Sequence, residues 1–165
     1  MLIRPASEDD LPGIVEIYND AVDNTVAIWN NDRVDVDNRR AWLTEHQADG
    51  FPILVAVVDD RVAGYASLSH FRDFQGFVHT AENSIYVHPD FRGRGIASAL
   101  MRSLIDDATG GHLHVIVAAI EGANAASIAL HRKLGFVPAG TIPECGTKFG
   151  EWLDMHLMYL RLPAQ

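Results

Sequence analysis

The 165-residue sequence has little of what disulfide-bonded, membrane-spanning and nucleic-acid-binding proteins need. Cys145 is the only cysteine, which excludes an internal disulfide. The longest apolar runs, such as residues 53–58, have the length of a strand and are far short of a membrane span. Basic residues number 13 against 22 acidic ones, and the net charge of −9 argues against nucleic acid as a main partner.

The start of the chain also lacks a basic segment followed by an apolar one, so we expect no secretion signal and a cytoplasmic protein. No repeat, low-complexity tract or linker divides the sequence. Because 48% of the residues are hydrophobic, the chain is typical of a globular protein. Its length predicts a single domain over residues 1–165.

The most informative stretch is a basic, glycine-rich loop at residues 92–97, which read Arg-Gly-Arg-Gly-Ile-Ala. The loop follows an apolar strand ending at Val87 and opens a helical pattern, so its backbone N–H groups and the helix N-terminus predict an anion site of pyrophosphate size. It matches neither the Rossmann fingerprint nor the P-loop. The alternative is a tight turn with solvated arginines. On an acidic chain, Arg92 and Arg94 make a local positive region that suits a small anionic ligand.

Hydrophobic periodicity and turn signals predict the element order β-α-α-β-β-β-α-β-α-β-β. Predicted helices cover residues 11–22 with Ser7 as N-cap, 37–46, a segment from the loop to Gly110, and 125–134. Predicted strands begin at Ile3, cover 53–58 and 62–71, end at Val87, cover 113–119, start briefly at Phe136, and cover 153–162, with 23–36 irregular. This mixture predicts a three-layer α/β domain with a mixed sheet.

Two motifs in this order carry a family resemblance. Arg92, Gly95 and Ala97 after the apolar strand resemble motif A of the GNAT superfamily of N-acetyltransferases, and residues 124–136 resemble motif B, an Asn-led helix closing in Leu-Gly-Phe. Further segments resemble the phosphinothricin acetyltransferase group, some bacterial members of which act on methionine sulfoximine and methionine sulfone: 27–29, 71–74, 80–87, 117–121 and 146–152. The resemblance extends from Ile3 to Leu162. It implies a GNAT-type three-layer α/β/α domain with a mixed, mostly antiparallel central sheet.

The resemblance implies acetyl-CoA as cosubstrate and assigns residues to bind it. The backbone of the strand before the loop would pair with the pantetheine arm, and the loop would hold the pyrophosphate. Asn124 would hydrogen-bond the cosubstrate, although Asn is also a good plain N-cap. The residues implicated are Ile85, Tyr86, Val87, Arg92, Gly93, Arg94, Gly95, Ile96, Ala97, Ser98 and Asn124.

The resemblance also implies catalytic roles for Glu82, His131 and the backbone N–H of Val87. By the family pattern Glu82 would accept the amine proton through water, whereas the residue alone reads as an exposed glutamate at a strand start. His131 stands where many GNAT enzymes have tyrosine and would protonate the thiolate or act with Glu82. The alternative is a histidine on the helix surface. The Val87 amide would support the oxyanion.

The acceptor site is implied least clearly. Arg72 would pair with the substrate carboxylate, although a loop arginine in a surface ion pair fits equally. Trp29, Phe74 and Phe77 would wall the side-chain pocket. Lys148 could contact substrate or a partner subunit, but the residue alone favours a solvated charge. His112 and His114 read as structural, with no metal site expected.

The leading hypothesis is therefore an acetyl-CoA-dependent N-acetyltransferase, with Glu82 as base, that acts on the α-amine of a free amino acid or analogue such as phosphinothricin. The alternatives are acetylation of a protein N-terminus or a polyamine, and a non-catalytic acetyl-CoA sensor. The resemblance further suggests a homodimer, and we expect no nucleic-acid or membrane partner.

Overall fold

A computed structural model describes residues 1–163. The regular elements are β1 (Leu2–Pro5), α1 (Leu11–Asn24), α2 (Val36–Asp49), β2 (Ile53–Val58), β3 (Arg61–His70), β4 (Thr80–Val87), α3 (Ile96–Ala108), β5 (Val115–Glu121), α4 (Ala125–Lys133), β6 (Val137–Lys148) and β7 (Glu151–Arg161). Three short 3₁₀ turns cover Glu8–Asp10, Gln75–Phe77 and Pro89–Phe91. The order of helices and strands is the predicted one.

The strands form one seven-stranded sheet in the order β1-β2-β3-β4-β5-β7-β6. Only β4 and β5 pair in parallel, and the other neighbours are antiparallel. A mixed, mostly antiparallel sheet is therefore confirmed. No helix within residues 1–163 is long and apolar enough to cross a membrane.

Side chains alternate between the two faces of the sheet and bury two cores, as the period of a strand requires. Leu54 and Ala56 join the core that contains Leu100 and Leu104 of α3. The intervening Val55 joins a second core with Leu11 and Ile14 of α1 and Leu43 of α2. The helices therefore cover both faces, which gives the predicted three layers.

The start of α1 differs from the prediction. Ser7 caps the 3₁₀ turn that precedes the helix, and both its backbone N–H and its hydroxyl donate to the buried Asp10 carboxylate, at 2.8 and 2.9 Å. Arg4 donates to the same carboxylate at 2.7 and 2.8 Å. The N-cap signal was correct in position, but it marks the turn rather than the α-helix.

The short strand predicted at Phe136 is also wrong, because β6 runs for 12 residues. Its pairing with β7 shifts register between Pro138 and Gly140 and again between Ile142 and Gly146. Prolines and glycines at these irregularities hide the strand pattern in the sequence. The second irregularity brings Gly146 and Lys148 toward the site described next.

Candidate active site

The site begins where the parallel pair of strands separates. β4 and β5 pair only from Thr80–Val115 to Glu82–Val117, and β4 continues five residues beyond the last pair. On the edge of β4 that faces β3, the backbone N–H of His88 donates to the carbonyl of Ala63 at 2.9 Å. The backbone groups of successive residues point alternately to the two edges of an antiparallel strand, so those of Val87 and Ile85 face away from β3 and into the cleft. The cleft thus offers unpaired backbone donors and acceptors to an extended ligand.

A cavity of about 430 Å³ lies at the loop end of this cleft. Gly93 and Gly95 of its loop have φ of 76° and 78°, and a Cβ at either position would meet nothing within 4 Å. These glycines therefore serve the positive backbone angle and leave the loop open to a ligand. The cavity is lined by Ile85, Val87, Phe91, Arg92, Gly93, Gly95, Ile96, Ala97, Ser98, Asn124, Ala126, Ser127 and Leu130.

Almost all of the predicted cosubstrate residues therefore come together. The exceptions are Tyr86, which lines the neighbouring cavity, and Arg94, whose guanidinium lies 5.2 Å from the ring centroid of Phe91. Arg92 pairs with Asp20 of α1 at 3.4 Å. Asn124 accepts from the amide of Ser127 at 3.0 Å, so it caps α4 while it also lines the cavity, and its bond to the cosubstrate stays a prediction.

A second cavity of about 290 Å³ continues the cleft and contains Glu82. Burial raises the pKa of the Glu82 carboxyl above its usual value, and the positive charge of Arg72 opposes that rise. A carboxyl with a raised pKa is a better proton acceptor than an ordinary glutamate once it is ionised. Glu82 is half-buried and lines a cavity, so the interpretation as an exposed glutamate is wrong.

The polar groups of this cavity include several that the sequence did not single out. Asn30 donates from its amide nitrogen to the Tyr18 hydroxyl at 3.2 Å, and both side chains line the cavity. Burial raises the pKa of Tyr86 to about 12, so its hydroxyl stays protonated and available as a donor. These residues come from α1, the 25–30 segment and β4, and no sequence motif joins them.

His131 is buried, with 2% of its surface exposed, so the interpretation as a surface histidine is wrong. Its Nδ1 donates to the carbonyl of Ser127 at 2.8 Å, and its Nε2 accepts from the side-chain amide of Asn83 at 3.0 Å. Burial lowers the pKa of His131, which favours the neutral ring that this bonding pattern needs. In this state Nε2 carries a lone pair, so a role as proton donor requires a proton to reach it first.

Asn83 is a site residue that the sequence analysis missed. It is 7% exposed, and its Oδ1 has no hydrogen-bond partner among residues 1–163. Strand alternation places Asn83 on the same face of β4 as Ile85 and Val87, opposite Glu82 and Tyr86. That alternation was the signal that could have found it.

The predicted acceptor residues are only partly brought together. Trp29 lines the Glu82 cavity. Arg72 is exposed, donates to the carbonyl of Phe71 at 2.7 Å, and acts on Glu82 through its charge. Phe74 and Phe77 are 74% and 38% exposed and do not line the cavity, so their prediction as pocket walls is wrong within one chain.

The prediction that Lys148 is a solvated charge is wrong, because the residue is only 3% exposed. Its Nζ donates to the carbonyl of Ile28 at 2.5 Å and lies 3.5 Å from the carbonyl of Ala21. Burial lowers the pKa of the Lys148 ammonium group. His112 contributes its backbone carbonyl to the ring of His79 at 2.6 Å, which is a structural contact.

The fold and the cleft define a protein that binds an extended anionic ligand beside a small polar cavity. The family model of the acetyltransferase (GNAT) family matches residues 14–136. The chain therefore belongs to this family, and the resemblance is confirmed.

Individual relatives agree with this assignment. The L-methionine sulfoximine/L-methionine sulfone acetyltransferase of Pseudomonas aeruginosa is 53% identical over 97% of this chain and 94% of its own length. The crystal structure of a ribosomal-protein-alanine N-acetyltransferase from Brucella melitensis is 51% identical, with a TM-score of 0.97 over 98% of this chain and 100% of that one. A phosphinothricin acetyltransferase from Sinorhizobium meliloti in complex with acetyl-CoA is 36% identical, with a TM-score of 0.95 over 98% and 88%.

Proposed function

We propose that the protein transfers the acetyl group of acetyl-CoA to the α-amine of a free amino acid or analogue, of the methionine sulfone, methionine sulfoximine or phosphinothricin type. One observation carries the proposal: the anion-loop cavity and the Glu82 cavity meet, and share Ile85, Asn124 and Ser127 as lining residues. A thioester placed in the first cavity would reach an amine placed in the second. The relatives named for these substrates support the choice of acceptor.

The residues of the cleft fit acetyl-CoA. The open glycine loop and the N-terminus of α3 suit a pyrophosphate, with Arg92 as a charged partner once it leaves Asp20. The unpaired peptide groups of Ile85 and Val87 suit the amides of the pantetheine arm, which would add like a short strand. Acetyl-CoA supplies an activated acetyl thioester when it is bound.

The chain's own residues supply the proton chemistry. The carboxylate of Glu82 accepts a proton from the substrate ammonium, directly or through a water, and leaves an amine that is able to attack. The N–H of Val87 donates to the thioester oxygen, where negative charge develops. Asn83 holds the ring of His131, whose Nε2 is the candidate site through which a proton reaches the leaving sulfur.

The acceptor cavity favours a small substrate. Its volume is about 290 Å³, and Trp29, Tyr18 and Tyr86 bound it. Arg72, which is exposed and close enough to act on Glu82 through its charge, would pair with the α-carboxylate while Glu82 faces the amine. Acetylation of a protein N-terminus is the second candidate, which the similarity to the Brucella enzyme favours. For this activity the cavity would have to accept the rest of a polypeptide chain at the position where a free amino acid has its carboxylate.

We further propose a cytoplasmic homodimer, as the family resemblance suggests. Phe149 and Trp152 near the turn between β6 and β7 are 62% and 67% exposed, and Phe74 is 74% exposed. Exposed aromatic residues of this kind are enriched at protein interfaces. Sedimentation of the wild type and of a Trp152→Ser variant tests the dimer, because the variant should shift toward the monomer.

The deciding experiment is release of the CoA thiol with a panel of acceptors: methionine sulfone, methionine sulfoximine, phosphinothricin, common amino acids, a polyamine and a peptide with a free N-terminal alanine. Turnover confined to the free amino acids and analogues supports the proposal. Turnover only with the peptide or the polyamine would support acetyl-CoA as the donor but overturn the proposal that the acceptor is a free amino acid or analogue.

A further inference from the structure

The segment 25–30 supplies one wall of the acceptor cavity, through Ala27, Ile28, Trp29 and Asn30. It contains no regular helix or strand, so its position depends on contacts with the rest of the protein. Its first anchor is Thr25, whose hydroxyl donates to the carbonyl of Ala21 in α1 at 2.7 Å. Its last is Asn30, which donates to Tyr18 of the same helix. Both bonds end on residues of α1, at the two ends of the segment.

The middle of the segment is held from the opposite end of the chain. A Cβ added to Gly146 of β6 would lie 2.3 Å from both Cε3 and Cζ3 of Trp29, a distance that real atoms do not adopt. Gly146 has no positive φ, so the absence of a side chain there serves the close approach of the indole and not the backbone angle. Two residues later, Lys148 donates to the carbonyl of Ile28 at 2.5 Å.

We propose that Gly146 and Lys148 hold Trp29 against β6 and thereby set the size and position of the acceptor cavity, so that Gly146 determines specificity although it does not line the cavity. The proposal rests on the acetyl-transfer function proposed above. Gly146 and Lys148 are positioning residues, since neither lines the cavity, and Trp29 is the residue through which they act. The indole Nε1 donates to Val26 at 3.0 Å, which keeps the ring within its own segment and leaves its face to pack on Gly146.

The test is a double-mutant cycle. Gly146→Ala should displace the indole and raise the acceptor KM about tenfold, because small misplacements in a binding site cost at least that much. The acetyl-CoA KM should stay within twofold of the wild type, since neither Gly146 nor Trp29 lines the anion-loop cavity. In a Trp29→Ala background the methyl group has nothing to displace, so Gly146→Ala should change the acceptor KM less than twofold.

The control is Gly111→Ala, at a glycine without positive φ, where a Cβ would make only an ordinary contact of 3.5 Å with the Ala108 carbonyl. It should leave both KM values unchanged. Lys148→Met keeps the approximate length of the side chain and removes the bond to Ile28. Like Gly146→Ala, it should raise the acceptor KM. If Gly146→Ala does not fold, the Trp29→Ala/Gly146→Ala variant, which lacks the clash, still should.

A readout that needs no turnover keeps this inference separate from the proposed function. With 5-fluorotryptophan in place of the chain's three tryptophans, the ¹⁹F resonance of Trp29, assigned with Trp29→Phe, should shift in Gly146→Ala and in Lys148→Met but not in Gly111→Ala. An unshifted Trp29 resonance in Gly146→Ala, or an equal rise in acceptor KM with and without Trp29, would overturn the proposal. An inactive wild type with a shifted resonance would contradict only the function.

Discussion

Replacing Glu82 with glutamine separates a catalytic carboxylate from a structural one. Glu82 lines the acceptor cavity, and burial raises the pKa of its carboxyl against the opposing charge of Arg72. Glutamine keeps the shape of the side chain and removes the proton acceptor. Loss of a positioned general base costs about 10²–10⁴-fold in kcat/KM. At about 1.4 kcal/mol for each factor of ten, the barrier rises by about 3–5 kcal/mol.

The same substitution should leave the fold at least as stable. A carboxyl with a raised folded-state pKa is disfavoured in its ionised form, so above that pKa its charge lowers the free energy of unfolding. Neutral glutamine removes this unfavourable contribution. The Tm of the variant should equal or exceed that of the wild type at pH 8, and the difference should shrink as the pH falls from the raised pKa of Glu82 to the usual value of a glutamic acid.

The assay combines three measurements on the same protein: CoA-thiol release between pH 6 and 9, acetyl-CoA affinity by calorimetry, and Tm. Glu45→Gln, at an exposed position of α2, is the matched control and should behave as the wild type. A Glu82→Gln variant with kcat/KM within threefold of the wild type would refute the assignment as base. Lost turnover together with a lowered Tm would point to a structural role.

Three further predictions concern other charged or polar groups. Arg72→Met should raise the acceptor KM and move the acid limb of the kcat/KM profile to higher pH, because it removes the charge that lowers the pKa of Glu82; an unmoved limb would contradict this. Asp10→Asn should cost about 2 kcal/mol in urea unfolding at pH 7. Burial acts to raise the pKa of the Asp10 carboxyl, but the hydrogen bonds from Arg4 and Ser7 outweigh burial and leave the pKa below its usual value. The difference in stability between the wild type and Asp10→Asn should therefore fade as the pH drops through that lowered pKa. Asn124→Ala should lose about 1 kcal/mol as an N-cap and weaken acetyl-CoA binding in calorimetry; an unchanged affinity would leave Asn124 as a cap alone.

The cosubstrate half of the site could be predicted from the sequence because it is local. The strand ending at Val87, the loop and α3 are consecutive, so the motif itself dictates where Arg92 and Gly95 lie. The motif around Asn124 opens α4 at the same end of the cleft, and helix capping fixes its side chain. Short-range rules of strand, turn and cap therefore suffice for this half.

The acceptor half could not be predicted in the same way, because its contacts join distant parts of the chain. The bond between Asn83 and His131 spans 48 residues, and that between Lys148 and Ile28 spans 120. Lysine is rarely buried without a charged partner, so composition argued for a solvated Lys148. Two backbone carbonyls near the end of α1 accept it instead, where the helix dipole favours a cation.

The two halves are joined by one property of β4, which is the alternation of its side chains. Glu82 and Tyr86 project toward α1, whereas Asn83 and Ile85 project toward α3 and α4, and all four residues line the acceptor cavity. Because β4 separates from β5 after Glu82, the backbone groups along this edge of β4 are exposed between the two faces. An extended ligand on that edge would therefore have the proton acceptor on one side and the ring of His131 on the other. In the proposed reaction, Glu82 takes the proton of the amine, and Nε2 of His131 passes a proton to the sulfur only after one has reached it, because the ring is neutral with a lone pair on Nε2.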